Sequence, residues 1–165
     1  MIEKNARKLR TYIRLISGFV FLLASTLLFA GQATTFSALI PMYDKGASTY
    51  YIKGGISGLG DTEFMVDTGS GYVTINQYSL AILKKKGQAT YVKKIMARLA
   101  DGQKRIYPVY LLNTIRLGTN CILKNIEAAV LPGKTRNILG LSGLKKTGGF
   151  SVSFEPPRLT LAACT

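Results

Sequence analysis

The residues best placed to do chemistry lie in the run Phe64-Met65-Val66-Asp67-Thr68-Gly69-Ser70, where three apolar residues lead an acid into a glycine turn. A carboxylate at the end of an apolar strand gives up hydration, and such groups cluster at functional sites. Asp-Thr-Gly is also an ordinary turn, because Asp bonds nearby amides and Gly takes positive φ. The tripeptide alone therefore decides little, and the rest of the chain must be weighed with it.

Other chemistries are thinned out by composition. The 165 residues contain no histidine, which removes the usual general base of serine and cysteine hydrolases and the commonest zinc ligand. Cys121 and Cys164 stand far apart with no cluster of further ligands, so neither a metal site nor a cofactor is expected. In an oxidising compartment the two cysteines could form one disulfide, and packing as free thiols is equally compatible with the sequence.

The elements around Asp67 read as short strands with frequent turns. Residues Tyr50 to Ile56 and Thr62 to Val66 flank Ser57-Gly58-Leu59-Gly60, a hairpin pattern that delivers Asp67 at the end of its second arm. Asn76 to Lys86 spaces Leu80 and Leu83 for a short helix, with lysines at the favourable C-terminal end. Tyr91 to Leu99 and Gln103 to Leu112 flank Ala100-Asp101-Gly102, and Asp-Gly between β-rich runs is a strong hairpin signal. Pro108 confines the second arm to an edge or a bulge. Further β-type runs cover Leu111 to Leu117, Ile122 to Val130, Phe150 to Phe154 and Arg158 to Ala162, with a short helix over Leu141 to Thr147. The pattern predicts one mainly-β domain, a closed barrel or sandwich with one or two short helices.

The first fourteen residues carry Lys4, Arg7, Lys8, Arg10 and Arg14 against Glu3, and an uncharged apolar run follows from Leu15 to Ala30. A basic start, an apolar middle and the small residues Gly31 and Ala33 make 1–33 a signal peptide or an N-terminal membrane anchor helix. Residues 34–48 read as a linker, 49–165 as the folded domain, and the expected location is the cell envelope on its periplasmic side. Net charge is +14, and without the basic start seventeen Lys and Arg face seven acids, a net +10. Such a body is drawn to anionic surfaces whatever its chemistry.

Asn137-Ile138-Leu139-Gly140, with Gly140 73 positions after Asp67, completes a pattern. With the Asp67-Thr68-Gly69-Ser70 loop and the intervening hairpin, it resembles the retropepsin-like aspartic proteases, bacterial-type, with a single Asp-Thr-Gly per chain. The resemblance covers roughly Tyr50 to Leu161. It implies the acid-protease fold, with Asp67 as the catalytic acid. Thr68, Gly69 and Ser70 would form the supporting loop, and Ile138, Leu139 and Gly140 would pack beneath it. Ala100, Asp101 and Gly102 match a flap tip by position rather than by sequence. It also implies a homodimer, because hydrolysis by carboxylates needs one acid and one base around a shared water. The other seven acids, Glu3, Asp44, Asp61, Glu63, Asp101, Glu127 and Glu155, sit in no second Asp-Thr-Gly setting. The partner carboxylate would be a second Asp67 across a two-fold axis.

The expected substrate is a peptide or protein, bound extended beneath the flap with hydrophobic residues flanking the scissile bond. The terminal residues Arg158 to Thr165 are expected to pair with their two-fold mates, with an intersubunit disulfide through Cys164 conceivable. If residues 1–33 are retained, a membrane is a further partner; nucleic acid is not expected. Two other readings stay open: a non-catalytic binding module on the same fold, and a basic protein that binds polyanions or surfaces of the envelope.

Overall fold

The computed structural model describes residues 37–164. The export or anchor helix expected within 1–33 lies outside them, and among the described residues no helix is long and apolar enough to cross a membrane. Eleven strands run in chain order: β1 (Ala38–Pro41), β2 (Tyr43–Asp44), β3 (Tyr50–Ile56), β4 (Gly60–Val66), β5 (Val73–Asn76), β6 (Ala89–Arg98), β7 (Lys104–Leu117), β8 (Cys121–Leu131), β9 (Ile138–Leu139), β10 (Phe150–Phe154) and β11 (Pro157–Leu161). Helix α1 (Gln77–Lys85) follows β5, and α2 (Leu141–Leu144) follows β9 and runs into a 3₁₀ turn at Lys145–Thr147.

The order β3-β4-β9-β5-β8-β7 closes on itself where Gly54, Gly55 and Ile56 pair with Leu117, Arg116 and Ile115, giving a six-stranded barrel. Closure removes the sheet edges that would otherwise invite pairing. It also explains Gly54, because a Cβ there would stand 2.2 Å from the Arg116 carbonyl oxygen. The interior is filled by the inward residues of each strand, among them Ile52, Phe64, Ile75, Leu112, Ile115, Leu123 and Leu139, all with no exposed surface. Helix α1 begins where the Asn76 side chain accepts the Ser79 amide at 2.8 Å, and Lys84 and Lys85 occupy its last turn.

A second sheet, in the order β1-β11-β10, lies outside the barrel ring. Strand pairing and the disulfide correct three expectations. Residues 38–44, read as part of a linker, form β1 and β2 and pair with β11 and β3, so ordered structure begins before Thr49. The terminal strand β11 is the centre of its sheet, hydrogen-bonded to β1 on one side and β10 on the other. Both its edges are filled within the chain, and a two-fold mate would have to meet β1 or β10 instead. The cysteines are joined to each other within the chain, Cys121 to Cys164, rather than across subunits.

Pro108 sits within β7 opposite Lys94 of β6, one residue beyond Val109, the last position paired to β8. At that point the strand has one neighbour, so the missing amide interrupts no ladder. Beyond it, β6 and β7 continue as a free two-stranded hairpin.

Candidate active site

β4 carries Asp67 out of the sheet. Met65 and Val66 pair in parallel with Ile138 and Leu139 of β9, and the Asp67 amide donates to the Leu139 carbonyl at 3.2 Å. Beyond that bond the chain turns: the Ser70 amide donates to the Asp67 carbonyl at 3.3 Å, and the Ser70 hydroxyl donates to the Tyr72 carbonyl at 2.7 Å. The Asp67 carboxylate accepts the Gly69 amide on Oδ1 at 2.9 Å. A Cβ on Gly69 would lie 3.1 Å from that same oxygen, so a larger residue would crowd the acid.

Ile138, Leu139 and Gly140 lie beneath the loop. Gly140 passes so close that a Cβ would fall 2.1 Å from the Tyr72 carbonyl oxygen and 2.7 Å from that of Ser70. The chain then returns two bonds to the loop, from the Leu141 amide to the Ser70 carbonyl and from the Ser142 amide to the Gly71 carbonyl. Asp67 is thus fixed from below by β9 and from behind by the start of α2. Thr68 and Gly69 face outward and are exposed, and Asp67 itself is half-buried.

Two supporting bonds, made by Ser142 and by Asn137 of the motif, escaped the sequence reading. Ser142 accepts the Val73 amide on its hydroxyl oxygen at 2.8 Å and donates to the Glu127 carbonyl at 2.8 Å, stitching β5 and β8 to α2. The Asn137 side-chain amide donates to the Thr62 hydroxyl at 2.8 Å, fixing β9 against β4. Neither carries a local signal, since their partners lie 69 and 75 residues away.

The β6–β7 hairpin turns at Ala100, Asp101 and Gly102. The Leu99 amide donates to Gln103, the Gly102 amide to Leu99, and the Asp101 carboxylate accepts the Gln103 amide at 2.9 Å. Gly102 supplies the required left-handed backbone at φ +82°. Between this hairpin and the Asp67 loop lies a cleft of about 640 Å³. Asp67, Gly69, Gly71, Tyr72 and Thr74 form its floor; Ile95, Ala97, Leu99, Ala100 and Tyr107 come from the hairpin; and Ala129, Leu131 and Ile138 close the back. The base of the hairpin is tied down by Lys93, which bonds Glu127 at 2.8 Å and lies 5.8 Å from the Tyr72 ring centroid. The Glu127 carboxylate holds the Lys93 ammonium above the ordinary lysine range.

On its other side Asp67 borders a second hollow of about 560 Å³, shared with Thr68, Met65, Tyr50, Val152 and the exposed Phe154. A larger hollow of about 720 Å³, lined by Pro41, Tyr43, Lys53, Asp61 and Arg116, includes no residue of the Asp67 loop. Of its charged residues, Arg116 is bonded to Asp61, and Glu63 is bonded to the neighbouring Lys45. The Lys45 ammonium, with Tyr43, holds the Glu63 carboxyl below the usual carboxylate range. Among the described residues no three potential ligands come together to hold a metal.

This arrangement, a glycine-turned acid above a crossing strand and beneath a hairpin, coincides with the result of comparison. The family described as "gag-polyprotein putative aspartyl protease" matches residues 52–146, which include Asp67, the hairpin and Gly140, and the chain belongs to that family. Among solved structures, the fold is similar to that of a retropepsin-like aspartic protease from Rickettsia conorii. The two share 22% sequence identity with a TM-score of 0.52, over 75% of this chain and 88% of that one. None of the curated proteins matches the sequence.

Proposed function

We propose that the protein is an aspartic endopeptidase of the cell envelope, exported or anchored through residues 1–33, whose active site forms when two copies bring their Asp67 loops together. The observation that carries this reading is the position of Asp67: half-buried, oriented by the Gly69 amide, and open to a cleft of about 640 Å³ beneath the hairpin. One carboxylate cannot serve as base and acid in the same step. The exposed Thr68 and Gly69, and the hollow of mixed polarity reaching Phe154, offer a surface for a second copy beside the acid.

In this mechanism the ionised Asp67 of one subunit takes a proton from a water held between the pair. The water oxygen attacks the peptide carbonyl carbon as the protonated Asp67 of the other subunit gives its proton to the carbonyl oxygen. The tetrahedral diol collapses when the protonated carboxyl passes its proton to the departing nitrogen and the ionised carboxylate takes a proton from a diol hydroxyl, so that the C–N bond breaks, a new carboxyl and a new amine are released, and the pair again shares one proton. Thr68 would bond across the axis, and Ser70, already held by the Tyr72 carbonyl, would keep the loop in place. Ala100, Asp101 and Gly102 would close over the substrate. The apolar lining supplied by Ile95, Leu131 and Ile138 favours hydrophobic side chains beside the scissile bond.

The test is a peptide-library digest with the parent protein and with Asp67→Asn. Cleavage by the parent and a loss of at least about a thousandfold in the variant are expected, with unchanged thermal unfolding. Undiminished turnover in the variant would refute the assignment.

A further inference from the structure

We propose that the outer face of the β6–β7 hairpin is a docking surface for an anionic lipid bilayer. The register places Met96 opposite Ile106, Lys94 opposite Pro108 and Arg98 opposite Lys104. The alternating residues Ile95, Ala97 and Tyr107 face the cleft, so these pairs belong to the other side. Met96 is 67% exposed and Ile106 64% exposed. Further along the same face stands Tyr91, also exposed and edge-on to Tyr110.

A substrate beneath the hairpin cannot cover this strip, because it lies on the wrong side. The cations around the strip have no acid to answer them. Among the described residues no ion pair involves Lys94, Arg98 or Lys104, whereas Lys93 on the inner side is paired with Glu127. Arg98 also borders the cleft mouth. The sole acid of the hairpin, Asp101, accepts the Gln103 amide at the tip.

Charge and apolar surface together select the occupant. A second copy would set cation against cation. A nucleic acid would satisfy the cations and leave Met96 and Ile106 in water. An anionic bilayer satisfies both, with headgroups against the Lys and Arg ends and the acyl boundary receiving Met96 and Ile106, with Tyr91 at headgroup level. Docking in this way gives the hairpin a location and is independent of turnover.

The experiment is cosedimentation of the compact unit Thr35–Thr165 with vesicles of phosphatidylcholine, with and without phosphatidylglycerol, at low and high salt. The parent is expected to bind the phosphatidylglycerol vesicles in a salt-sensitive way. Combining Lys94→Glu, Arg98→Glu and Lys104→Glu should weaken binding by at least about 100-fold. Met96→Ser with Ile106→Ser should weaken it by about tenfold. The same charge change placed on Lys84, Lys85 and Lys86 should cost far less, and Asp67→Asn nothing. A melt followed by circular dichroism establishes that each variant is folded. No vesicle binding, or equal loss in the two charge-reversed proteins, would overturn the proposal. So would an unchanged affinity in the Met96 and Ile106 variant, which marks a simple polyanion site. A change in that variant's own sedimentation coefficient without vesicles would assign the strip to a second copy instead.

Discussion

Asp67 is held by a small number of backbone bonds, and the residues that make those bonds possible are glycines and one serine. Gly140 has no room for a methyl group, since a Cβ would sit 2.1 Å from the Tyr72 carbonyl oxygen. Gly140→Ala is expected to lower unfolding free energy by about 3 kcal/mol, read from urea denaturation, and to displace the Asp67 loop. Ser142→Ala strands the Val73 amide and the Glu127 carbonyl, and should cost about 2 kcal/mol by the same measurement. Asp67, Thr68, Gly69 and Gly140 were legible because the motif is local and its residue types are restrictive. The bonds made by the Ser142 and Asn137 side chains were not, because a hydroxyl or amide that works across 69 or 75 positions leaves no mark in its own neighbourhood.

At the level of elements, legibility followed length and turn chemistry. The β3–β4 and β6–β7 hairpins were readable from their glycine turns and β-rich arms, and α1 from the spacing of Leu80 and Leu83 and the lysines at its end. β1, β2 and β9 span four, two and two residues, too few for an alternating pattern to register. They owe their existence to partners supplied by distant strands. The centre position of β11 is likewise a fact of pairing, which no property of Pro157–Leu161 announces. The hairpin tip offers a test at this scale. Gly102 has φ +82°, so Gly102→Val should strain the turn by about 1 kcal/mol. It should lower kcat/KM toward peptides more than it lowers the melting temperature. Equal activity in this variant would separate the tip from substrate closure.

Across the whole molecule, a barrel that closes through Gly54 is joined to the outer three-stranded sheet by Cys121–Cys164, a link spanning 43 residues of sequence. Replacing both cysteines by serine frees that loop in the unfolded chain and should reduce stability by about 4 kcal/mol, seen as a lower denaturation midpoint. The fold class was readable because turn spacing and residue types repeat along the chain. The second sheet was not, because its strands come from opposite ends of the domain. The same scale holds the central claim, that a single acid per chain becomes a pair only between chains. Mixing Asp67→Asn protein with parent protein at constant total concentration, after exchange of subunits, tests it directly. With both acids required, an equal mixture retains roughly one quarter of parental activity and the retained activity follows the square of the parent fraction. Retained activity proportional to the parent fraction, about half in the equal mixture, would mean that each chain works alone and would contradict the account.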